Sequence, residues 1–234
     1  MIESDYIVRM FTLLGRALAK ITLLKETKNA GLLKETKEYE EAAGEVEQAS
    51  RDLLGLTVEM MRRLPIADLH KLFGSDPAIA RTRFYIAGLL LRQVGDLAQL
   101  SGKEDESIKI YLRTLSLIFE YVPGREDLLS DRLVEATDFL LAKLDSYDLP
   151  ASLKHNAVTY YENRGMYSKC EDIIFEVIEE DPEFLQEAVS LYGRLLAKSD
   201  ADLEKGDLPR AEVEQALSEL RSKQAELTSR RNFS

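Results

Sequence analysis

The sequence predicts an all-α protein built from antiparallel helical hairpins in series, on three observations. Leucine occurs 38 times against 22 for valine and isoleucine together, a bias away from β-branched side chains, which lose rotamer freedom in a helix. No stretch alternates apolar and polar residues over a strand length, and no Asn-Gly or Asp-Gly turn separates two such stretches. Apolar residues instead recur at helical steps between short breaks bearing Gly or Pro, and connections that short force neighbouring helices antiparallel.

The first helix is expected from near Glu3, with Ile7, Met10, Phe11, Leu14, Ala17, Leu18 and Ile21 on one stripe and Arg9, Arg16 and Lys20 off it. Leu23–Lys28 and Leu32–Lys37 both read LLKETK, within a nine-residue tandem duplication. Nine residues add about 2.5 helical turns. Either Asn29–Gly31 breaks the helix, or it runs on and its apolar stripe changes face. A second helix is expected over 35–54, with Ala42, Val46, Ala49 and Leu53 on one face and Gly55 as its stop. Residues 57–74 read as one or two short helices, cut at Pro65 and ended by Gly74.

Asp76-Pro77 pairs an N-cap with a first-turn proline and opens a long helix to about Leu100. Ser101-Gly102-Lys103 turns the chain into a helix over 104–121, stopped by Pro123-Gly124. Further helices are expected at 126–146, 150–163, 166–180, 183–204 and 208–229. The expected domains are an N-terminal hairpin with short helices at 1–74 and a helical array at 75–229, separate or continuous, then a fraying tail at 230–234.

Bulk composition bounds the function. At 45% hydrophobic and 31% charged residues, the 234-residue chain is globular, of one large domain or two small ones. The single cysteine, Cys170, cannot form an intramolecular disulfide, and the longest apolar run, near Tyr85–Leu91, is far too short for a bilayer. Acidic residues near the start argue against a signal peptide, so a cytoplasmic protein without a membrane partner is expected. The net charge of −11 argues against nucleic acid, and the small basic clusters (Arg81, Arg83, Arg92; Arg221, Lys223, Arg230, Arg231) lack interleaved aromatics.

Helical hairpins in series call for a repeat search. Around Gly102, Leu91, Val94, Gly95 and Ala98 precede the turn, and Ser107, Tyr111 and Thr114 follow it. Small residues at a crossing let backbones approach, while a large one fills the gap between hairpins; this arrangement resembles a tetratricopeptide repeat, with Leu91 where Trp is usual. A second match surrounds Gly165, with Tyr161, Tyr167, Cys170, Ile174, Val177 and Pro182. Weaker ones involve Gly206, Ala211 and Gln215, and Tyr39, Ala42, Val46 and Ala49. The predicted architecture is therefore a degenerate, right-handed tetratricopeptide-like α-solenoid. The helix at 126–146 interrupts strict alternation, so either the solenoid breaks there or one match is accidental.

The opening Ile2-Glu3-Ser4-Asp5-Tyr6-Ile7, then Arg16-Ala17-Leu18-Ala19-Lys20 and Tyr39-Glu40-Glu41-Ala42, resembles an uncharacterised family of bacterial, mostly Firmicute, tetratricopeptide-like proteins. The resemblance covers most of the chain and implies a fold and a cytoplasmic setting, with no activity attached. The duplicated LLKETK block departs from that family's pattern.

No phosphate-binding loop, nucleophile elbow or HExxH motif occurs, and no His follows a Glu at the di-iron spacing. No cofactor, metal or catalytic residue is assigned, and the chain is expected not to be an enzyme. His70 reads as a surface histidine and Cys170 as a core residue. The acidic run Glu171–Glu187, with eight carboxylates and no basic residue, reads as a solvated face or a dock for a basic partner. In the repeat register, Arg92, Asp96 and Gln99 on one first helix and His155, Thr159, Glu162 and Asn163 on another face the concave groove. The expected function is a non-catalytic module that binds a protein or peptide there. The alternative is a regulatory sensor that takes a peptide or small molecule in the same groove. The apolar N-terminal helix is buried either in its own domain or in a homodimer.

Overall fold

A computed structural model describes residues 2–26, 36–120 and 130–231. Of these, 85% are α-helical and none forms a strand. The helices are α1 (Ile2–Glu26), α2 (Thr36–Leu54), α3 (Val58–Arg63), α4 (Ile66–Phe73), α5 (Pro77–Leu100), α6 (Glu104–Phe119), α7 (Ser130–Leu144), α8 (Ala151–Arg164), α9 (Tyr167–Glu180), α10 (Leu185–Leu196), α11 (Asp200–Lys205) and α12 (Arg210–Arg231), with a 3-10 turn at Pro182–Phe184. The chain divides into two compact units, Met1–Asp148 and Leu149–Ser234.

In the first unit α5 is the hub, packing on α1, α2, α3, α4 and α6. Its middle, Phe84 to Leu91, is buried on every side, which is why that segment is apolar without a polar face. Asp76 caps α5 as predicted: its Oδ1 accepts from the backbone N–H groups of Ala78 and Ile79, each at 2.9 Å. Thr57 caps α3 in the same way, accepting from the Met60 N–H at 3.1 Å. In α2 the predicted face Ala42, Val46, Ala49 and Leu53 is buried. In α1, Met10 and Leu14 are buried and Phe11, Ala17 and Leu18 half-buried, while Val8 and Leu13 face solvent. The side chains of Ile7 and Ile21, residues 27–35 of the duplication with the expected Asn29–Gly31 break, and the Pro123-Gly124 stop lie outside the described residues. So does the start of the predicted helix at 126–146, whose described part, α7, belongs to the first unit.

In the second unit α8 packs on α9, and α10 on α12. Gly165 closes α8 in the left-handed region, at φ 69° and ψ 23°, where a Cβ is strained. The helix expected over 183–204 is in fact three pieces. The Arg210 guanidinium reaches back from α12 and donates to the carbonyls of Leu196 (3.0 Å) and Lys198 (2.6 Å), ending α10. Ser199 then caps α11, accepting from the Asp202 N–H at 3.1 Å. A side chain beyond the segment thus supplies partners for the orphan carbonyls, so no Gly or Pro is needed for the break.

The α11–α12 corner rests on the α8–α9 turn. The Gly206 carbonyl accepts from the Ser168 N–H at 3.1 Å. A Cβ on Gly206 would run into the Tyr167 ring and lie 2.7 Å from the Gly165 carbonyl oxygen. The third repeat match is not reproduced as packing: Ala211 and Gln215 are exposed, and Val213, Ala216, Leu217 and Leu220 form the buried stripe of α12.

Candidate functional site

The structure distributes the seven predicted groove residues over both units, so each set is built up separately. In the first unit they surround the α5–α6 crossing. Tyr111 of α6 is fully buried against Gly95 of α5, where an added Cβ would lie 2.5 Å from the ring. Its hydroxyl donates to Asp96 Oδ1 at 2.8 Å, with Gln99 Oε1 at 3.2 Å. A phenol has one proton to give. Burial, then the Asp96 carboxylate, pushes the Tyr111 phenol far above its ordinary range. The Arg92 guanidinium lies 4.0 Å over the ring of Phe139 from α7, and Phe139 meets Tyr111 edge-on at 6.0 Å. Of this trio, Gln99 is exposed, while Arg92 and Asp96 are half-buried and anchored within the unit.

The second unit repeats part of this plan. His155 precedes Gly165 by ten residues, as Arg92 precedes Gly102. It also stacks on a phenylalanine, Phe184 of the 3-10 turn, with ring centroids 4.3 Å apart and planes 15° apart. His155 Nε2 lies 3.6 Å from Asp181 Oδ2. Glu162 is held by both nitrogens of a fork from α10, accepting from Arg194 Nε (2.8 Å) and Nη2 (2.9 Å); Arg194 also donates to Glu187 at 3.2 Å. The bond to Glu162 raises the Arg194 pKa. Thr159 and Asn163 are exposed, and the Thr159 hydroxyl turns back onto the His155 carbonyl at 3.3 Å.

Cys170 occupies the small position of the α8–α9 crossing as expected. Its thiol is buried and donates to the Val158 carbonyl at 3.4 Å; burial, then Glu162, pushes its pKa up to about 12. That is the opposite of the electropositive, exposed setting of a reactive thiol. His70 lies 2.7 Å from Glu120 and packs on Phe84. Among the described residues, no group of three His, Cys, Asp or Glu side chains is placed to hold a metal ion, and no helix is long and apolar enough to cross a membrane.

Sequence reasoning missed Lys154. Its ammonium is buried, 2.5 Å from Glu180 and 3.3 Å from Glu176. With Asp181 near His155, Glu187 on Arg194 and Glu171 on Tyr192, five of the eight carboxylates in the 171–187 run have partners inside their own unit. The signal was weak, because Lys154 is one charged residue on a helix whose apolar pattern is itself blurred.

Glu171 gives this unit a pH dependence. It accepts from the Tyr192 hydroxyl at 2.9 Å. Burial raises its carboxyl above the usual range and outweighs that bond; Glu212, Asp172 and Glu219 add to the rise. A raised folded-state value favours the neutral carboxyl. Its stabilising contribution is therefore complete below the unfolded range near ~4.3 and is lost as pH rises through the folded value. Glu171→Gln should stabilise the protein at neutral pH by about 0.5 kcal/mol or less, solvent screening holding the effect down. The gain should vanish in acid, read as melting temperature against pH; a gain that persists in acid would contradict the assignment.

No curated protein and no solved structure shows significant similarity to the chain. Its sequence from residue 1 to 225 matches one family model, so the chain belongs to a family of unknown function, DUF6483.

Proposed function

We propose that the protein is a non-catalytic, cytoplasmic module of tetratricopeptide-like helical hairpins that binds a protein or peptide. The observation that carries this reading is the repeated crossing. Gly95 and Val158 each stand seven residues before the turn glycines Gly102 and Gly165; there Gly95 packs against Tyr111, and the Val158 carbonyl accepts from the Cys170 thiol. At each, the first helix bears a planar side chain stacked on a phenylalanine, Arg92 or His155. The Cys170 thiol is buried, and the Tyr192 hydroxyl and Glu171 carboxylate are tied to one another, which suits side chains that hold the hairpins in shape.

Three predicted groove residues, Gln99, Thr159 and Asn163, remain exposed on these first helices and are the expected contact points. The test is capture from native cytosol with the wild-type chain and with the variant Q99K/T159K/N163K, each checked for an unchanged melting temperature. A partner held by the wild type, lost with the triple variant and kept by Ser190→Lys on exposed α10 surface supports the reading. Equal capture by all three chains counts against the groove face.

A second reading, a sensor for a small molecule, is favoured by two buried nitrogens without hydrogen bonds, Arg92 Nε and His155 Nε2. Ligands that raise the melting temperature of the wild type but not of Arg92→Ala or His155→Ala would select it.

A further inference from the structure

We infer that the outer face of α12 docks on the same face of a second copy of this chain, antiparallel and about a two-fold axis. The face forms one wall of an open groove of about 450 Å³ between α12 and the end of α10, lined by Leu196, Glu214, Leu217, Ser218, Arg221 and Ser222 among others. Glu214 and Arg221 are seven residues apart, so they lie on one side of the helix roughly two turns from each other. Both are exposed, and neither pairs with a charged neighbour among the described residues.

Opposite charges at the two ends of one helical stripe are self-complementary under a two-fold axis, because residue i meets j while j meets i. With the axis near Leu217 and Ser218, Glu214 of each copy falls beside Arg221 of the other, giving two reciprocal ion pairs. Between them stands Ser218 of each copy, small enough for two backbones to approach. Beyond Leu220, the side chains of Arg221 to Glu226 are exposed or half-buried. The reading is independent of the partner-binding role above, which uses α5 and α8.

The experiment is sedimentation equilibrium of the full chain over a wide concentration range, with Glu214→Arg, Arg221→Glu, the double swap E214R/R221E and a mixture of the two single variants. Circular dichroism melts confirm that each variant is folded. The wild type is expected to move reversibly from monomer to dimer. Each single variant should associate at least about tenfold more weakly, since it sets like charges together. The double swap should restore the dimer, and the mixed single variants should pair with each other. A wild type that stays monomeric throughout overturns the proposal and leaves the groove to a foreign chain. A dimer unaffected by either single charge reversal overturns it too, placing the interface elsewhere.

Discussion

A Gly206→Ala chain is expected to lose about 2–3 kcal/mol, the upper range for overpacking a site that cannot relax. The new methyl would meet the Tyr167 ring and the carbonyl oxygen of Gly165, 2.7 Å away. Tyr167 is 4% exposed, and the oxygen belongs to backbone fixed by the turn, so neither obstacle can swing away cheaply. The corner must lift, and the bond from the Ser168 N–H to the Gly206 carbonyl goes with it. For a unit of this size the loss corresponds to a fall of about 10 °C or more in its melting temperature. Gly193→Ala is the control. That glycine lies within α10 with nothing inside 4 Å of a new methyl, so the same change should stabilise by about 0.5–1 kcal/mol. The two substitutions should move thermal unfolding in opposite directions; a Gly206→Ala chain that melts with the wild type would falsify the close approach of the two corners.

Gly95→Ala is expected to cost the first unit a similar amount, about 2–3 kcal/mol. The methyl would lie 2.5 Å and 2.7 Å from two carbons of the Tyr111 ring and 3.3 Å from Ile110 Cγ2. Tyr111 cannot turn aside, because its hydroxyl is tied to Asp96 and its ring is boxed by Phe139. Tyr111→Phe alone should cost about 1 kcal/mol, the net worth of a hydrogen bond to a charged acceptor in partly screened surroundings. Tyr111→Leu should be destabilising by itself yet recover part of the loss in Gly95→Ala, since the smaller side chain leaves room for the methyl. Urea unfolding of the two single variants and the double variant measures this coupling. Strictly additive losses would show that Gly95 and Tyr111 do not share the crossing.

Much of the helical order was legible because its signals are local. Asp76-Pro77, Pro65 and the glycines at 55, 74, 102 and 165 each act on their own neighbourhood, and helices end or begin at every one of them. The break after Leu196 was not legible, because its cause is Arg210, fourteen residues on. The false match at Ala211 and Gln215 has a related origin. Residues four apart share a face on any helix, so spacing alone does not say which face is inward, and Val213, Ala216 and Leu220 take that role. The candidate groove was readable to the same depth. Sequence placed Arg92, Asp96 and Gln99 together on α5, and His155, Thr159, Glu162 and Asn163 together on α8. It could not foresee that Phe139, Phe184 and Arg194 would come in from a third element and engage Arg92, His155 and Glu162, since such partners are chosen by tertiary packing.

Lys154 has two carboxylates where one would neutralise it, and the three groups are unequal. The lysine side chain is 5% exposed, against 62% for Glu176 and 42% for Glu180. Losing one acid leaves the ammonium paired, and losing the lysine leaves two carboxylates that water already reaches. Loss of both acids removes two partners from a buried charge, the expensive direction for an ion pair. The arrangement is therefore tolerant of drift: either glutamate can vary while the other remains.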